Sequence, residues 1–234
     1  MHDGGRLGAR RVLPLHELEL FRDLSPDDLD AVRSAAQLRN VEKGRILFFP
    51  GDVSDTVWFV GSGRIKVSRL SESGKELILD ILEPGQFFGE AGVLDERPRE
   101  SLAEALESAA LWVVDGSRFR ALLATKPRVS MTLAKFLGRR QRRLEQRLLD
   151  VVTKNAQKRL ADLLLQLGES YGVKDARGIL LRIKLSQSAL GNLLGVSREI
   201  VNHTFSDLRR RGVVEIAEGR VVIQDPKALA ALAA

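Results

Sequence analysis

The chain has 234 residues, 44% of them hydrophobic and none of them cysteine, with a formal net charge of +6. That length and apolar content suffice for two small domains with cores of their own, and the missing thiols exclude disulfides, thiolate zinc fingers and cysteine-held iron–sulfur clusters. No run approaches the roughly 18 apolar residues that span a bilayer and no apolar signal core opens the chain, so a cytoplasmic protein is expected.

In chain order, residues 1–16 begin Gly/Arg-rich and are expected as a disordered tail. Ser25 and Pro26 then mark a helix start, with the helix running to Ala36. From there the pattern changes to period two. Strand-like runs appear at Arg45–Phe49, Thr56–Val60, Arg64–Leu70, Glu76–Leu82 and Ala109–Val114. Turn signals separate them at Pro50-Gly-Asp, Gly61-Ser-Gly, Ser71-Glu-Ser-Gly and Glu83-Pro-Gly. Short strands at spacings near ten residues predict a closed roll or sandwich over residues 17–126. Gly61-Ser-Gly lacks the third glycine and the following helix of a dinucleotide fingerprint, and reads as a hairpin turn.

A long helix is predicted next, over residues 127–153. Leu133, Leu137, Leu144, Leu148 and Val151 recur at spacings of 4, 7, 4 and 3, a coiled-coil seam with one apolar step missing near Arg140–Gln141. Arg139-Arg-Gln-Arg-Arg143 reads first as a solvated basic face, with an anion site or a partner surface as the alternatives. The seam predicts a homodimer, the alternative being a helix packed on its own roll.

Residues 154–234 carry a helix-turn-helix. Ser186 and Ser197 stand where N-cap hydroxyls are needed, and Gly195 lies in the turn between two short helices. Leu190, Leu193 and Leu194 give the first helix an apolar face; Val201, Phe205 and Leu208 do the same for the second. Left outside are Arg198, Glu199, Asn202, His203, Ser206 and Arg209, side chains able to bond base edges and phosphates. Ser186, Gln187 and Ser188 are candidates for phosphate contact. A hairpin of Val213–Ile216 and Arg220–Ile223 completes a winged helix, with Gly212 capping the preceding one. Charge agrees with a double-stranded DNA partner. Residues 137–234 hold 18 Lys/Arg against 10 Asp/Glu, net +8, while residues 1–136 hold 19 against 21, net −2. The fold class is therefore α+β: a roll, a long helix, and a winged helix-turn-helix.

Four stretches in one order resemble the cyclic-AMP receptor/fumarate–nitrate regulator superfamily of transcription regulators. They are Arg45-Ile-Leu-Phe-Phe-Pro-Gly-Asp52, Trp58-Phe-Val-Gly-Ser-Gly-Arg-Ile-Lys-Val67, Gly85-Gln-Phe-Phe-Gly-Glu90 and Arg97-Pro-Arg99, followed by the helix-turn-helix in the family's position. The resemblance runs from about Leu20 to Leu229. It implies a cyclic-nucleotide-binding roll, a dimer helix, palindromic DNA and RNA polymerase as a partner. In the implied pocket Gly89 lets a backbone N–H approach a phosphate, Glu90 accepts a ribose hydroxyl and Arg99 neutralises the phosphate. Two departures follow. Cyclic-AMP binders of the family place Ser or Thr after the arginine, where this chain has Glu100. A carboxylate about 4 Å from a phosphate costs roughly 4 kcal/mol at an effective dielectric near 20, about a thousandfold in affinity. A one-residue bulge instead puts Ser101 in the hydroxyl position. Where the family places Thr-Ser on the long helix, the chain has Leu144-Glu145. In the reading helix, Arg198 and Glu199 match the family's Arg-Glu pair, for guanine and cytosine respectively, and His203 replaces a frequent second arginine.

Three readings stand at this point: a regulator whose DNA binding does not require cyclic AMP, a cyclic-AMP-dependent one, and an enzyme-regulatory module using the roll. No P-loop, His-Glu-x-x-His or nucleophile elbow supports the last.

Overall fold

The structure, a computed structural model, describes residues 11–217 and 219–233. The chain forms two compact units, Met1–Arg139 and Arg140–Ala234.

The first unit is built on two antiparallel sheets. One has the order β1 (Ala36–Val41), β8 (Ala109–Asp115), β3 (Thr56–Ser62), β6 (Phe87–Phe88); the other has β2 (Ile46–Phe48), β7 (Leu102–Ala105), β4 (Ile65–Leu70), β5 (Glu76–Leu82). Between the sheets lies a core of Phe48, Trp58, Val60, Ile65, Val67, Leu82, Phe88, Leu111 and Val113. A second core lies on the other face of the first sheet, where Val57, Phe59, Phe87 and Val114 meet Leu18, Phe21, Phe119, Val129, Leu133 and Phe136. The strand β3 therefore alternates between two apolar compartments, which is why Thr56–Ser62 reads as a continuous apolar run. Helices cover the second core: α1 (Pro26–Ala35), α3 (Gly116–Thr125) and the first turns of α4 (Pro127–Thr153). Ser25 caps α1 by accepting the Asp28 N–H at 3.3 Å, and Asp115 caps α3 by accepting from Ser117 and Arg118.

The expected tail ends earlier than residue 16. The Leu13 N–H donates to the Gly61 carbonyl at 2.8 Å, the Trp112 indole donates to the Leu13 carbonyl at 2.9 Å, and Leu15 is buried. Apolar Leu13 and Leu15 give this segment something to bury. Residues 1–10 of that expectation lie outside the described residues.

The seam on α4 is also revised. Leu133 is buried in the second core beside Val129 and Phe136, with the Phe87 and Phe136 rings 4.2 Å apart, and Leu137 packs against the same core. The missing apolar step falls at the boundary of the two units. Only beyond it do Leu144, Leu148, Val151 and Val152 become exposed.

The second unit has α5 (Ala156–Tyr171), α6 (Gln187–Leu194), α7 (Arg198–Arg210) and α8 (Pro226–Ala233) around an antiparallel sheet. Its strand order is β11 (Val214–Ala217), β12 (Arg220–Ile223), β10 (Gly178–Leu181), β9 (Gly172–Asp175). The predicted wing hairpin is β11–β12, paired from Val214↔Ile223 to Ala217↔Arg220. The second hairpin and α8 are additions to the sequence reading. Leu160, Leu164, Leu190, Val201, Phe205, Leu208, Val222 and Leu229 are buried here. Among the described residues no helix is long and apolar enough to cross a membrane, and no His/Asp/Glu cluster is placed to hold a metal ion.

Candidate nucleic-acid interface and effector site

The helix-turn-helix is assembled by local rules. The Ser186 hydroxyl accepts the Ala189 N–H at 3.1 Å to start α6, and the Ser197 hydroxyl accepts the Ile200 N–H at 3.4 Å to start α7. Between them Gly195 sits at φ 69°, a left-handed conformation that a side chain resists. Gly191 permits a close approach: an added Cβ would stand 2.8 Å from the Val196 carbonyl oxygen. The last turn of α7 closes with Gly212 N–H to Arg209 O at 3.0 Å and Val213 N–H to Leu208 O at 2.9 Å.

Burial of Val201, Thr204, Phe205 and Leu208 fixes which side of α7 faces inward. Arg198, Glu199, Asn202, His203, Ser206 and Arg209 are all exposed, on the remaining arc. The Glu199 carboxyl is held below its usual range, first by the Ser197 hydroxyl, then by backbone N–H and Arg198. Asp207 takes Arg210 at 3.3 Å and Arg211 at 3.0 Å, so these two cations are engaged on the protein. Ser186, Gln187 and Ser188 form the start of α6, and the structure joins this end to α7 directly: Gln187 Nε2 donates to Asn202 Oδ1 at 3.2 Å. Ser186 spends its hydroxyl oxygen on the cap. One exposed residue escaped the sequence reading. Ile200 is 43% exposed beside Arg198 and Glu199, and an apolar side chain there was assigned to no face. Its position directly before the inward Val201 was the available signal.

In the roll, β6 ends at Phe88 and Gly89 turns the chain at φ 81° into α2 (Glu90–Leu94). Glu90 and Arg99 are both buried. The Arg99 guanidinium donates from Nη1 to the Gly89 carbonyl and from Nη2 to the Thr56 carbonyl, each at 2.5 Å, and lies 4.4 Å over the Phe48 ring. An added Cβ on Gly89 would meet Nη1 at 2.6 Å, so the glycine admits the guanidinium. Burial pulls the Arg99 pKa below its ordinary value, opposed by Asp55, Glu90 and Asp52. Glu100 turns outward and pairs with Arg69; both side chains are more than half exposed, at 62% and 51%. The repulsion expected between Glu100 and a phosphate is thus screened by a guanidinium and by water. Ser101 is half-buried, immediately before β7. Leu144 and Glu145 belong to the second unit, where both are exposed and Gln141 donates to Glu145 at 2.8 Å.

Residues 38–126 match the cyclic nucleotide-binding domain family, and residues 158–232 match the Crp-like helix-turn-helix domain. The cyclic AMP receptor protein of Thermus thermophilus is 32% identical over 92% of this chain and 96% of its own length. A CRP-like cAMP-activated global transcriptional regulator of Mycobacterium tuberculosis is 29% identical over 90% of this chain and 94% of its own. Among solved structures, a CooA variant from Carboxydothermus hydrogenoformans is 25% identical, with a TM-score of 0.76 over 96% of this chain and 98% of that one. Two family matches in the order roll then helix-turn-helix, and a 32% identical relative matched along nearly its whole length, make this chain a member of the Crp/Fnr family of transcription regulators, with a DNA-binding helix-turn-helix at residues 158–232.

Proposed function

We propose that the protein acts as a cytoplasmic homodimer that reads a palindromic operator, and that its DNA binding does not require cyclic AMP. The observation that carries the DNA reading is the exposed arc of α7, where Arg198, Glu199, Asn202 and His203 are presented by a capped helix with its opposite side locked in a core. Arg198 donates to guanine O6/N7 and Glu199 accepts from cytosine N4. His203 and Arg209 add contacts on the same arc, and Ser186, Gln187 and Ser188 approach the phosphates. Two such helices on a two-fold axis fit half-sites about 34 Å apart. At its promoters the dimer's protein partner is RNA polymerase. No enzymatic step is assigned to the roll.

Independence from cyclic AMP is supported by Arg99. One N–H of each amino group is bonded to a backbone carbonyl and its face rests on Phe48, which leaves a phosphate only part of the fork, including the buried Nε that has no partner. The Leu144-Glu145 pair, in place of two hydroxyls, adds to this. The competing reading is a cyclic-AMP-dependent regulator, with Gly89, Glu90, Arg99 and Ser101 as its pocket. It is favoured by the relatives from Thermus and Mycobacterium, whose names specify cyclic AMP.

One experiment separates them. Operators are selected from random duplexes by the wild type and by Arg198→Ala and Glu199→Ala, with and without cyclic AMP. Selection of a palindrome without nucleotide is expected, with preference relaxed at one base by each variant, by roughly 1–3 kcal/mol for Arg198→Ala. Selection only with micromolar cyclic AMP would establish the competing reading. Unchanged base preferences in both variants would place DNA reading on another surface.

A further inference from the structure

We infer that Gln187 is a positioning residue for Asn202, and that the pair selects adenine at one step of each half-site; this rests on α7 being the helix that enters the major groove. The two residues come from different helices. Gln187 is the first residue of α6 after its Ser186 cap, and Asn202 lies in the second turn of α7, four residues beyond Arg198 on the same stripe. Their carboxamides meet at 3.2 Å, with Gln187 Nε2 as donor and Asn202 Oδ1 as acceptor.

The chemistry of that bond decides what Asn202 can read. A free asparagine side chain turns either end toward a base, and its carboxamide is roughly two-fold about χ2. A donor on Oδ1 favours one of those two orientations. What remains available is the Nδ2 amide and the second lone pair of Oδ1, a donor beside an acceptor. Adenine presents the complement, with acceptor N7 beside the N6 amino donor. Guanine presents two acceptors, N7 and O6, and sets O6 against the Asn202 Oδ1. Thymine offers one acceptor and a methyl group. Ser206 does not compete for the carboxamide, because its hydroxyl donates to the Asn202 backbone carbonyl at 2.9 Å. Gln187 keeps its second Nε2 hydrogen, which can meet a phosphate oxygen, so base reading and backbone registration pass through one side chain.

The test is a two-by-two set of variants, Gln187→Ala, Asn202→Ala and the double, each with binding sites selected from random duplexes. Affinities are then measured for the operator carrying each base at the step that Asn202→Ala alters. The wild type is expected to favour adenine there by roughly tenfold or more, as one bidentate pair allows. Asn202→Ala should level the four bases. Gln187→Ala should weaken the preference at that step alone, and the double variant should discriminate no worse than Asn202→Ala. Gln187→Glu keeps a good helix-start residue but offers a carboxylate that accepts instead of donating; it should turn the Asn202 amide inward and abolish the adenine preference. A Gln187→Ala loss that is uniform over all bases and adds to that of Asn202→Ala would reduce Gln187 to a phosphate contact and overturn the inference. So would guanine, or no base, being preferred by the wild type at that step. Failure of the underlying reading looks different: Arg198→Ala then leaves every base preference intact.

Discussion

At Glu199 a carboxylate sits on the exposed arc of α7 with its pKa depressed, chiefly by the Ser197 hydroxyl. A group lowered in the folded state stays charged as pH falls through the ordinary carboxylate range, and loses its charge only through the lowered value. Discrimination for cytosine is therefore expected to hold as pH falls from 7 to about 4.5, the ordinary glutamate value, measured as the affinity ratio of two operators differing at the Glu199 step. Ser197→Ala, which removes the largest cause of the shift, should bring the loss to a higher pH. If the ratio falls in the wild type across that window, Glu199 does not act as a charged acceptor. Residues of this kind were legible in the sequence because an N-cap hydroxyl follows a local rule, as at Ser25, Ser186 and Ser197. The direction of Arg99 was not legible. It is set by Phe48, Thr56 and Gly89, as many as 51 positions away in sequence, and no local pattern reports where a guanidinium will find its carbonyls. Glu100 was likewise placed by a distant partner, Arg69.

Among the elements, α1, α4, α6, α7 and the strands β2, β3, β4, β5, β8, β11 and β12 were readable, whereas α2, α3, α5, α8 and the strands β1, β6, β7, β9 and β10 were not. The strand β7 is Leu-Ala-Glu-Ala, four good helix formers held extended by pairing with β2 and β4. The strand β1 follows α1 without a glycine or proline between them, and most of it is exposed. The periodicity of α4 runs through two surroundings. Its first part is buried by Val129, Leu133 and Phe136 in the second core, and its later part exposes Leu144, Leu148 and Val151. A uniform heptad reading cannot separate these, because burial against one's own sheet and burial against a second copy ask for the same apolar residues. Their separation yields a prediction. Leu144→Lys should convert a dimer to monomers in sedimentation at micromolar concentration and weaken operator binding, while leaving thermal unfolding of the roll unchanged. Leu133→Lys should instead destabilise the roll itself. A wild type that sediments as a monomer would remove the dimer from the proposed function.

At the scale of the whole molecule, the charge is unequally divided: net +8 over residues 137–234 and net −2 over residues 1–136. Phosphate contacts made by such a surface release counterions, so affinity should fall steeply with salt. Not every arginine contributes equally. Arg210 and Arg211 are occupied by Asp207, whereas Arg209 has an exposed position on the reading arc. Arg209→Ala should flatten the plot of log affinity against log salt by about one unit per subunit, and Arg210→Ala by much less. Equal slopes for both variants would remove Arg209 from the interface. The two-compartment roll has a consequence of another kind, for how defects combine. The strand β3 is a party wall: Val57 and Phe59 furnish one room, Trp58 and Val60 the other. Damage should stay in the room where it is done. Phe59→Leu with Phe87→Leu, on the same side with rings 5.6 Å apart, should show a coupling of about 0.5–3 kcal/mol in denaturant titrations. Phe59→Leu with Trp58→Phe, though adjacent in the chain, should come close to additive, so that covalent neighbours behave as strangers and residues 28 positions apart as partners.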